Sequence, residues 1–458
     1  GGDFQSRYVL EPVVNNEQRP TIGLGVVPFT PPYLDGPVPA HVVYTVNRDD
    51  TSHLKAKVYL TEPKMAIPQL GWFKEPGVEA NADVEASFIN GRLDQVSSFK
   101  VWSEGDLAVS GAAHFNAEGQ LATLTIDPSV AGETRLAGTL SRDEQNGYVI
   151  EMAGEAFNSS YFWKEFGRDD GRAETAEEEA GEATPLTLRA DIDRMWLTPE
   201  TMFRDVSLDF ESDASGIHTI DFESRVDGEK HFSFKLTSTD EGRIFHGMSE
   251  DGGSVVRAVG LFGDIVGGEL SISGEMAPDG TALGVAEIRD FKLVDAPLVA
   301  RLLSVAALTG ILDELRGEGI SFATLRVPFS YADSKLTIED GEMFGNSLGL
   351  TGEGNYDFAS SSMNFNGTLI PAYAINSALN SIPLLGDLLT GGNERGGIFA
   401  ATYAYRGDVA TAQPTVNPLA ALAPGFLRHI FDVFNSRPQE ASSIPPGERN
   451  ESGADEDD

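Results

Sequence analysis

The sequence contains no cysteine, few basic residues and no long apolar run, and each absence excludes a class of protein. Without cysteine the 458-residue chain has no disulfides, thiolate nucleophiles or cysteine-based metal sites. Its 33 lysines and arginines stand against 71 aspartates and glutamates, and the net charge of -38 repels nucleic acid and anionic headgroups. We therefore exclude nucleic acid as a partner.

No stretch has the length and hydrophobicity of a signal peptide or a membrane-spanning helix. The sequence begins with GGDFQSRYVLEP, which lacks a methionine and lies within a strand-like pattern. We therefore expect the chain to be a piece of a longer protein.

Apolar residues recur at every second position through most of the chain, which is the period of strands with one apolar face. The clearest examples are Phe99, Val101, Leu107, Val109, Leu124, Ile126, Leu136, Leu140, Ile150, Met152, Leu208, Phe210, Phe232, Phe234, Leu270, Ile272, Leu336 and Ile338. Turn sequences such as NRDD, DASG and APDG separate these runs. The pattern predicts a mainly β fold, in which many antiparallel strands form a meander with few helices.

One acidic segment interrupts the strand pattern. Residues 168–185 carry seven acidic residues and almost no large apolar ones, which predicts a solvated linker or loop. This segment separates a first β region, residues 1–167, from a second, residues 186–435. Residues 436–458 are rich in proline, serine and acid, and we expect a disordered acidic tail there.

Three amphipathic helices are predicted in the last third of the chain, at residues 296–316, 375–389 and 418–434. Asp295 is suited to cap the first helix and Gly317 to end it. Prolines interrupt the other two.

No motif predicts catalysis. Residues 345–349 match G-x-S-x-G, but a strand pattern follows them where a nucleophile elbow needs a helix. The seven histidines show none of the spacings of zinc sites. We therefore predict a non-enzymatic protein with no catalytic residues, metal ligands or cofactors. A pair of carboxylates of the glycosidase type stays open as an alternative, because nothing local singles out such a pair.

Three motifs follow one another in the C-terminal third. They are FKLVDAPLVARLLSVAALTGILDELRGEGISF at 291–322, MNFNGTLIPAYAINSALNSIPLLGDLLTGG at 363–392 and GGIFAATYAYRGDVATAQPTVNPLAALAPGFLRHIF at 396–431. In this order they resemble the C-terminal region of AsmA-like proteins of Gram-negative bacteria. Weaker similarity extends the resemblance over most of the chain, from about residue 40 to residue 434.

The resemblance implies an elongated, curved antiparallel sheet that forms a groove, with a few amphipathic helices in its C-terminal third. It also implies a periplasmic protein, anchored in the inner membrane by an N-terminal helix that this chain lacks. Family members are implicated in moving phospholipid between the inner and outer membranes and in keeping the outer membrane intact. We therefore expect phospholipid acyl chains, the two membranes and envelope proteins as partners.

Physical estimates agree with this expectation. A phospholipid with about 30 buried CH₂ groups needs on the order of 20 kcal/mol of apolar shielding outside a bilayer. About 20 strands at ~4.8 Å spacing make a trough roughly 100 Å long. An alternative role is a scaffold or assembly factor for outer-membrane or secreted β-proteins, which needs an unprotected sheet edge more than a wide apolar trough.

The apolar faces of the three helices are the predicted contacts with lipid or membrane. They comprise Leu298, Leu302, Val305, Leu312, Leu384, Leu385, Leu388, Leu419, Leu422, Phe426, Leu427, Ile430, Phe431 and Phe434. For the helix at 296–316, the favoured interpretation is that it covers the end of the trough and that its apolar residues are core. The helix at 418–434 is the stronger candidate for membrane contact.

Overall fold

The protein is mainly β, in agreement with the predicted fold class. The computed structural model describes residues 4–162, 184–198, 201–226, 228–240, 242–259, 263–306, 308–371, 401–408 and 411–417. Within these ranges, a long, curved sheet of 23 strands is accompanied by a 3-stranded sheet. None of the helices in the described part of the chain has the length and hydrophobicity of a membrane span.

Among the described residues, thirteen strands precede the acidic segment and thirteen follow it. The first set is β1 (Phe4–Leu10), β2 (Val13–Val14), β3 (Leu34–Asp35), β4 (Val38–Asn47), β5 (Thr51–Tyr59), β6 (Lys64–Ile67), β7 (Trp72–Lys74), β8 (Ala80–Ile89), β9 (Arg92–Ser103), β10 (Leu107–Phe115), β11 (Leu121–Ala131), β12 (Thr134–Arg142) and β13 (Tyr148–Asn158). The second set is β14 (Leu186–Thr198), β15 (Thr201–Asp213), β16 (Gly216–Val226), β17 (Lys230–Thr239), β18 (Gly242–Ser249), β19 (Ile265–Met276), β20 (Ala282–Leu293), β21 (Ile320–Ala332), β22 (Lys335–Gly345), β23 (Leu348–Asp357), β24 (Ser362–Pro371), β25 (Ala401–Asp408) and β26 (Thr415–Asn417).

The large sheet follows the order of the chain. Both β1 and β2 pair with β4, and the sheet continues through β5 and β8 to β26, with each strand beside the next. Local sequence explains the reversals: Asn90 and Gly91, for example, have φ of 52° and 76°, the left-handed pair of a type I′ hairpin turn. The small sheet consists of β3, β6 and β7.

The pairing of β13 with β14 is parallel, whereas the sequence pattern predicts antiparallel neighbours throughout. Tyr148 lies opposite Leu186, and Asn158 lies opposite Trp196. A parallel pair needs a connection of about a dozen residues or more, and the chain between Asn158 and Leu186 is longer than that. One sheet therefore continues across the acidic segment. Residues 168–183 of that segment and the predicted tail at 436–458 lie outside the described residues, so the proposed divisions of the chain stay predictions.

The helix predicted at 296–316 is two helices. After α1 (Gly252–Ala258), the structure has α2 (Pro297–Val305) and α3 (Thr309–Arg316). Asp295 does not cap α2: its φ of 52° is left-handed, and Ala296 occupies the N-cap position. On either side of the break, α2 and α3 both place leucines in one core. The other two predicted helices, at 375–389 and 418–434, lie outside the described residues.

One long edge of the apolar face is covered by other parts of the chain, and we name it the capped rim. It is formed by strand ends such as Val38, Leu107 and Ala131. The small sheet packs there through Trp72, which is 3% exposed and contacts Leu107 and Ala131. The indole Nε1 of Trp72 also donates a hydrogen bond to Asp106 at 2.9 Å.

The helices cover the capped rim of the later strands. Val255 and Ala258 of α1 pack against the inner side of β14 to β16. The core beneath α2 and α3 includes Phe291, Leu293, Leu302, Leu303, Leu308, Leu312, Leu315, Ile320, Phe322, Leu348 and Leu369. At its start, α2 also reaches β25, where the Tyr405 hydroxyl donates to the carbonyl of Leu298. Burial of the Tyr405 side chain raises its pKa to about 12. The C-terminal end of the apolar face is therefore covered by the protein itself.

We name the opposite edge the open rim. From β4 to β18 it is formed by every second connection, such as the turns between β8 and β9 and between β12 and β13. In the described ranges, no helix and no strand of the small sheet packs on that part of the rim. The large sheet therefore has a covered edge and an uncovered edge along the same apolar face.

Glycines on the apolar face let aromatic rings lie on the sheet. Phe245 of β18 and Phe329 of β21 stack with ring centroids 6.4 Å apart, although two strands separate them. The positions between them in the register are Gly274 and Gly284. A Cβ at Gly284 would lie 2.8 Å from Cζ of Phe329 and 2.8 Å from the carbonyl oxygen of Ser273. The backbone contact leaves little room for relaxation.

We expect Gly284→Ala to lower the free energy of unfolding by about 1–3 kcal/mol, because the added methyl must displace the ring and the neighbouring strand. Gly310→Ala is the matched control, since nothing lies within 4 Å of a Cβ at that helical position. It should leave stability unchanged or raise it, by up to about 1 kcal/mol. Urea denaturation measures both; equal stability of the two variants would contradict the close packing at Gly284.

Candidate functional site: an apolar groove

A single row of residues runs across the large sheet without a charged side chain. We name it the central row; each member is the register partner of the next, and together they come from β1, β4, β5 and β8 to β25. The row is Tyr8, Tyr44, Leu54, Ala86, Val96, Ala113, Leu124, Leu140, Ile150, Leu188, Phe210, Ile220, Leu236, Phe245, Gly274, Gly284, Phe329, Ile338, Gly354, Phe365 and Tyr405. At ~4.8 Å per strand, the row extends roughly 100 Å along the curved sheet.

The other face of the same strands is charged. Successive partners there are Thr139, Glu151, Arg189, Asp209, Asp221, Lys235 and His246. Arg189 pairs with Glu151 at 3.5 Å and with Asp209 at 3.4 Å. Lys235 pairs with Asp221 at 2.8 Å, and that hydrogen bond and charge raise the pKa of the lysine. These exposed pairs keep the outer face in water, so the two faces of the sheet differ sharply in polarity.

The apolar face is least covered in the first half of the chain. In residues 4–162, the buried apolar side chains larger than alanine are Val38, Leu60, Trp72 and Leu107, and all four lie at the capped rim or in the small sheet. Away from that rim, the leucines and isoleucines of the central row are only half-buried. We name this stretch, the apolar face of β4, β5 and β8 to β13, the open groove.

A sheet with one apolar face is normally covered by a second layer. Here that layer exists for the later strands, where α1 to α3 pack, and among the described residues it is missing over the open groove. Apolar surface left in water costs about 25 cal/mol per Å², so the open groove favours contact with an apolar partner. Its chemistry is suited to hydrocarbon, which requires no specific polar contact.

The helical residues predicted to contact lipid have different surroundings. Leu302 and Leu312 are 2% and 7% exposed within the core of the protein, and Leu298 packs against the Tyr405 cluster. Val305 is 57% exposed at the end of α2. The remaining predicted contacts lie outside the described residues; they are Leu384, Leu385, Leu388, Leu419, Leu422, Phe426, Leu427, Ile430, Phe431 and Phe434.

The open groove itself was not among the contacts that the sequence predicts. Its signal was present, because the alternation of Leu124, Ile126, Leu136 and Leu140 marks an apolar strand face. What the sequence does not show is that no described part of the chain covers this face, since coverage depends on segments far away in the chain.

Groups suited to catalysis do not converge in the groove. Ser347 of the G-x-S-x-G match lies in the turn between β22 and β23, and its Oγ donates to Glu314 at 3.0 Å. Burial, and then the Asp295 carboxylate, raise the pKa of Asp264, but this pair lies at the capped rim beside α2. Within the described residues, no three potential metal ligands of the histidine or carboxylate type come together.

A comparison of the chain with known protein families, curated proteins and solved structures finds no match.

Two positions of α2, one buried and one exposed, should respond differently to truncation. Leu302→Ala removes a fully buried side chain and should cost about 2–5 kcal/mol of unfolding free energy. Val305→Ala, at an exposed position of the same helix, should change stability by less than about 0.5 kcal/mol. Chemical denaturation measures both. A large loss for Val305→Ala would show that an apolar layer covers it in solution.

Proposed function

We propose that the chain is a non-catalytic lipid-shielding groove that holds the acyl chains of phospholipids on its apolar face. The central row carries this proposal, because it continues over about 100 Å without a charged residue and its leucines and isoleucines in the first half are only half-buried. Such a length is several times the ~30 Å hydrocarbon core of a bilayer. A groove of this kind lets lipid tails remain outside water while their headgroups stay at the rim.

The dimensions of one strand fit one lipid tail. On β12, Leu136, Gly138 and Leu140 face the groove, and the strand extends from the capped rim to Arg142 at the open rim. Six residues of strand span about 20 Å, which exceeds the ~15 Å depth of one leaflet's hydrocarbon. Burying about 30 CH₂ groups supplies on the order of 20 kcal/mol in favour of the bound lipid.

The setting that we propose is the envelope of a Gram-negative bacterium. The three C-terminal motifs resemble AsmA-like proteins, and this resemblance implies a periplasmic groove that supports phospholipid transport between the inner and outer membranes. Outer-membrane integrity would then depend on the chain. The charged outer face agrees with this role, since it keeps the sheet in water.

A scaffold or assembly role is the second candidate, and the edge strand β1 supports it. Within the described residues β1 pairs with β4 alone, and it exposes Tyr8, Val9 and Leu10. An unpaired edge can add a strand of another β-protein. This role requires the edge strand and no lipid in the groove, so the two candidates make different predictions.

Charges placed in the open groove should remove bound lipid. We expect the wild-type chain to retain phospholipid in native mass spectrometry, and Leu140→Asp with Ile150→Asp to lower its lipid occupancy at least tenfold, because a buried carboxylate against hydrocarbon is costly. Thr139→Asp is the matched control, since Thr139 is exposed on the outer face of the same strand. It should retain lipid.

Circular dichroism of all variants must show an intact β fold for this comparison. A wild-type chain that carries no lipid and takes up no labelled phospholipid from vesicles would rule out the proposal, and it would shift the weight to the scaffold role. Equal lipid loss from the Leu140→Asp, Ile150→Asp double variant and from Thr139→Asp would also contradict it, because only the double variant changes residues that face the groove.

A further inference from the structure

A positively charged side chain lies on the apolar side of the sheet, at the open rim of the open groove. Arg142, the last residue of β12, shares its face with Leu140 and is half-buried. Its guanidinium carbon lies 4.7 Å from the ring centroid of Tyr148, the first residue of β13. The two residues flank one hairpin turn, and both face the groove.

Neutral groups hold the guanidinium in place. Nε donates to the carbonyl of Leu121 at 3.0 Å, and Nη1 donates to the backbone carbonyl and the side-chain Oδ1 of Asn146 at 3.3 and 2.7 Å. Nη2 donates to the Tyr148 hydroxyl at 3.0 Å. Within the described residues, Arg142 forms no ion pair with a carboxylate, so its charge is oriented but not neutralised.

Two donors at this point have no acceptor in the described part of the chain. One is the second N–H of Arg142 Nη2, and the other is the Tyr148 hydroxyl proton, since the bond with Arg142 uses that oxygen as an acceptor. Their heavy atoms are 3.0 Å apart, a spacing at which a single phosphate can accept from both.

Carboxylates lie in the same hairpin turn. Asp143 Oδ1 accepts from the backbone N–H groups of Gln145 and Gly147, at 2.9 and 2.7 Å, which fixes that side chain in the turn. Glu144 follows it and is exposed. A ligand anchored at Arg142 would therefore extend past negative charge, which attracts an ammonium group and repels a second anion.

We propose that Arg142 and Tyr148 bind the phosphate of a zwitterionic phospholipid headgroup at the open rim, with the acidic turn beside them favouring the headgroup's ammonium. This inference rests on the proposed function, and it adds the class of lipid and the place of its headgroup. The tails would extend from the rim along Leu140 and Leu136 towards the capped rim, about 20 Å away.

The test measures the affinity of the full-length protein chain for three lipids. The lipids have matched acyl chains and differ only in the headgroup. Phosphatidylethanolamine should bind about fivefold or more tightly than phosphatidylglycerol and diacylglycerol. Arg142→Gln should weaken the binding of phosphatidylethanolamine about fivefold, as expected for loss of one charge-assisted contact at a partly exposed rim. It should leave the binding of diacylglycerol unchanged. Tyr148→Phe, which keeps the ring, should show a smaller loss of the same kind.

Arg135→Gln is the control: it makes the same charge change on the same strand, at an exposed position. It should leave the affinities of all three lipids unchanged. Glycerophosphoethanolamine, the headgroup without tails, should compete poorly, and tight binding of it alone would identify a free phosphodiester as the ligand and overturn the lipid assignment.

The outcomes separate this inference from the proposed function. The headgroup site at the open rim is wrong if the Arg142→Gln variant binds phosphatidylethanolamine like the wild type, or if it binds all three lipids equally more weakly. Either result leaves the proposed lipid-binding groove in place. If phosphatidylglycerol binds as tightly as phosphatidylethanolamine, the preference for a zwitterion is wrong. If the wild type binds none of the lipids, the proposed function fails and the rim site fails with it.

Discussion

The hydrogen-bond register of the large sheet is the constraint on which the rest of the structure depends. Because successive side chains of a strand point to opposite faces, a shift of one residue would exchange the apolar and charged faces of that strand. The central row keeps this parity across β1, β4, β5 and β8 to β25, including the parallel step from Ile150 to Leu188. The central row is therefore free of charged side chains along its whole length, although the strands that form it are separated by hundreds of residues.

The two halves of the sheet differ in how far other parts of the chain cover the apolar face. In the later strands the chain supplies a second layer over the capped rim, since α1 to α3 pack there. In the earlier strands the small sheet covers only the capped rim, through Trp72. Within the described residues, the open groove is therefore the part of the apolar face with the least covering.

Charged side chains lie on the outer face of the sheet and at the open rim. The outer face carries side chains of alternating charge, such as Glu151, Arg189 and Asp209. These side chains keep the face hydrated, and their exposed ion pairs add little to the free energy of unfolding. At the open rim, Arg142 and the acidic turn after it place both signs of charge beside the apolar surface. Hydrocarbon, phosphate and ammonium would thus meet matching surroundings in the order in which a phospholipid presents them.

The sequence by itself determined the β class, the apolar and polar strand faces and most hairpins, because these depend on neighbouring residues: the alternation at Leu124 and Leu140, or the turn at Asn90 and Gly91. It also placed helical residues at 296–316, but not the break between α2 and α3, which follows from packing on β20 to β24. The parallel pairing of β13 with β14, and the lack of cover over the open groove among the described residues, were decided only by the tertiary structure. Strand partners and covering layers are non-local contacts, and no local pattern in the sequence records which distant segment will supply them.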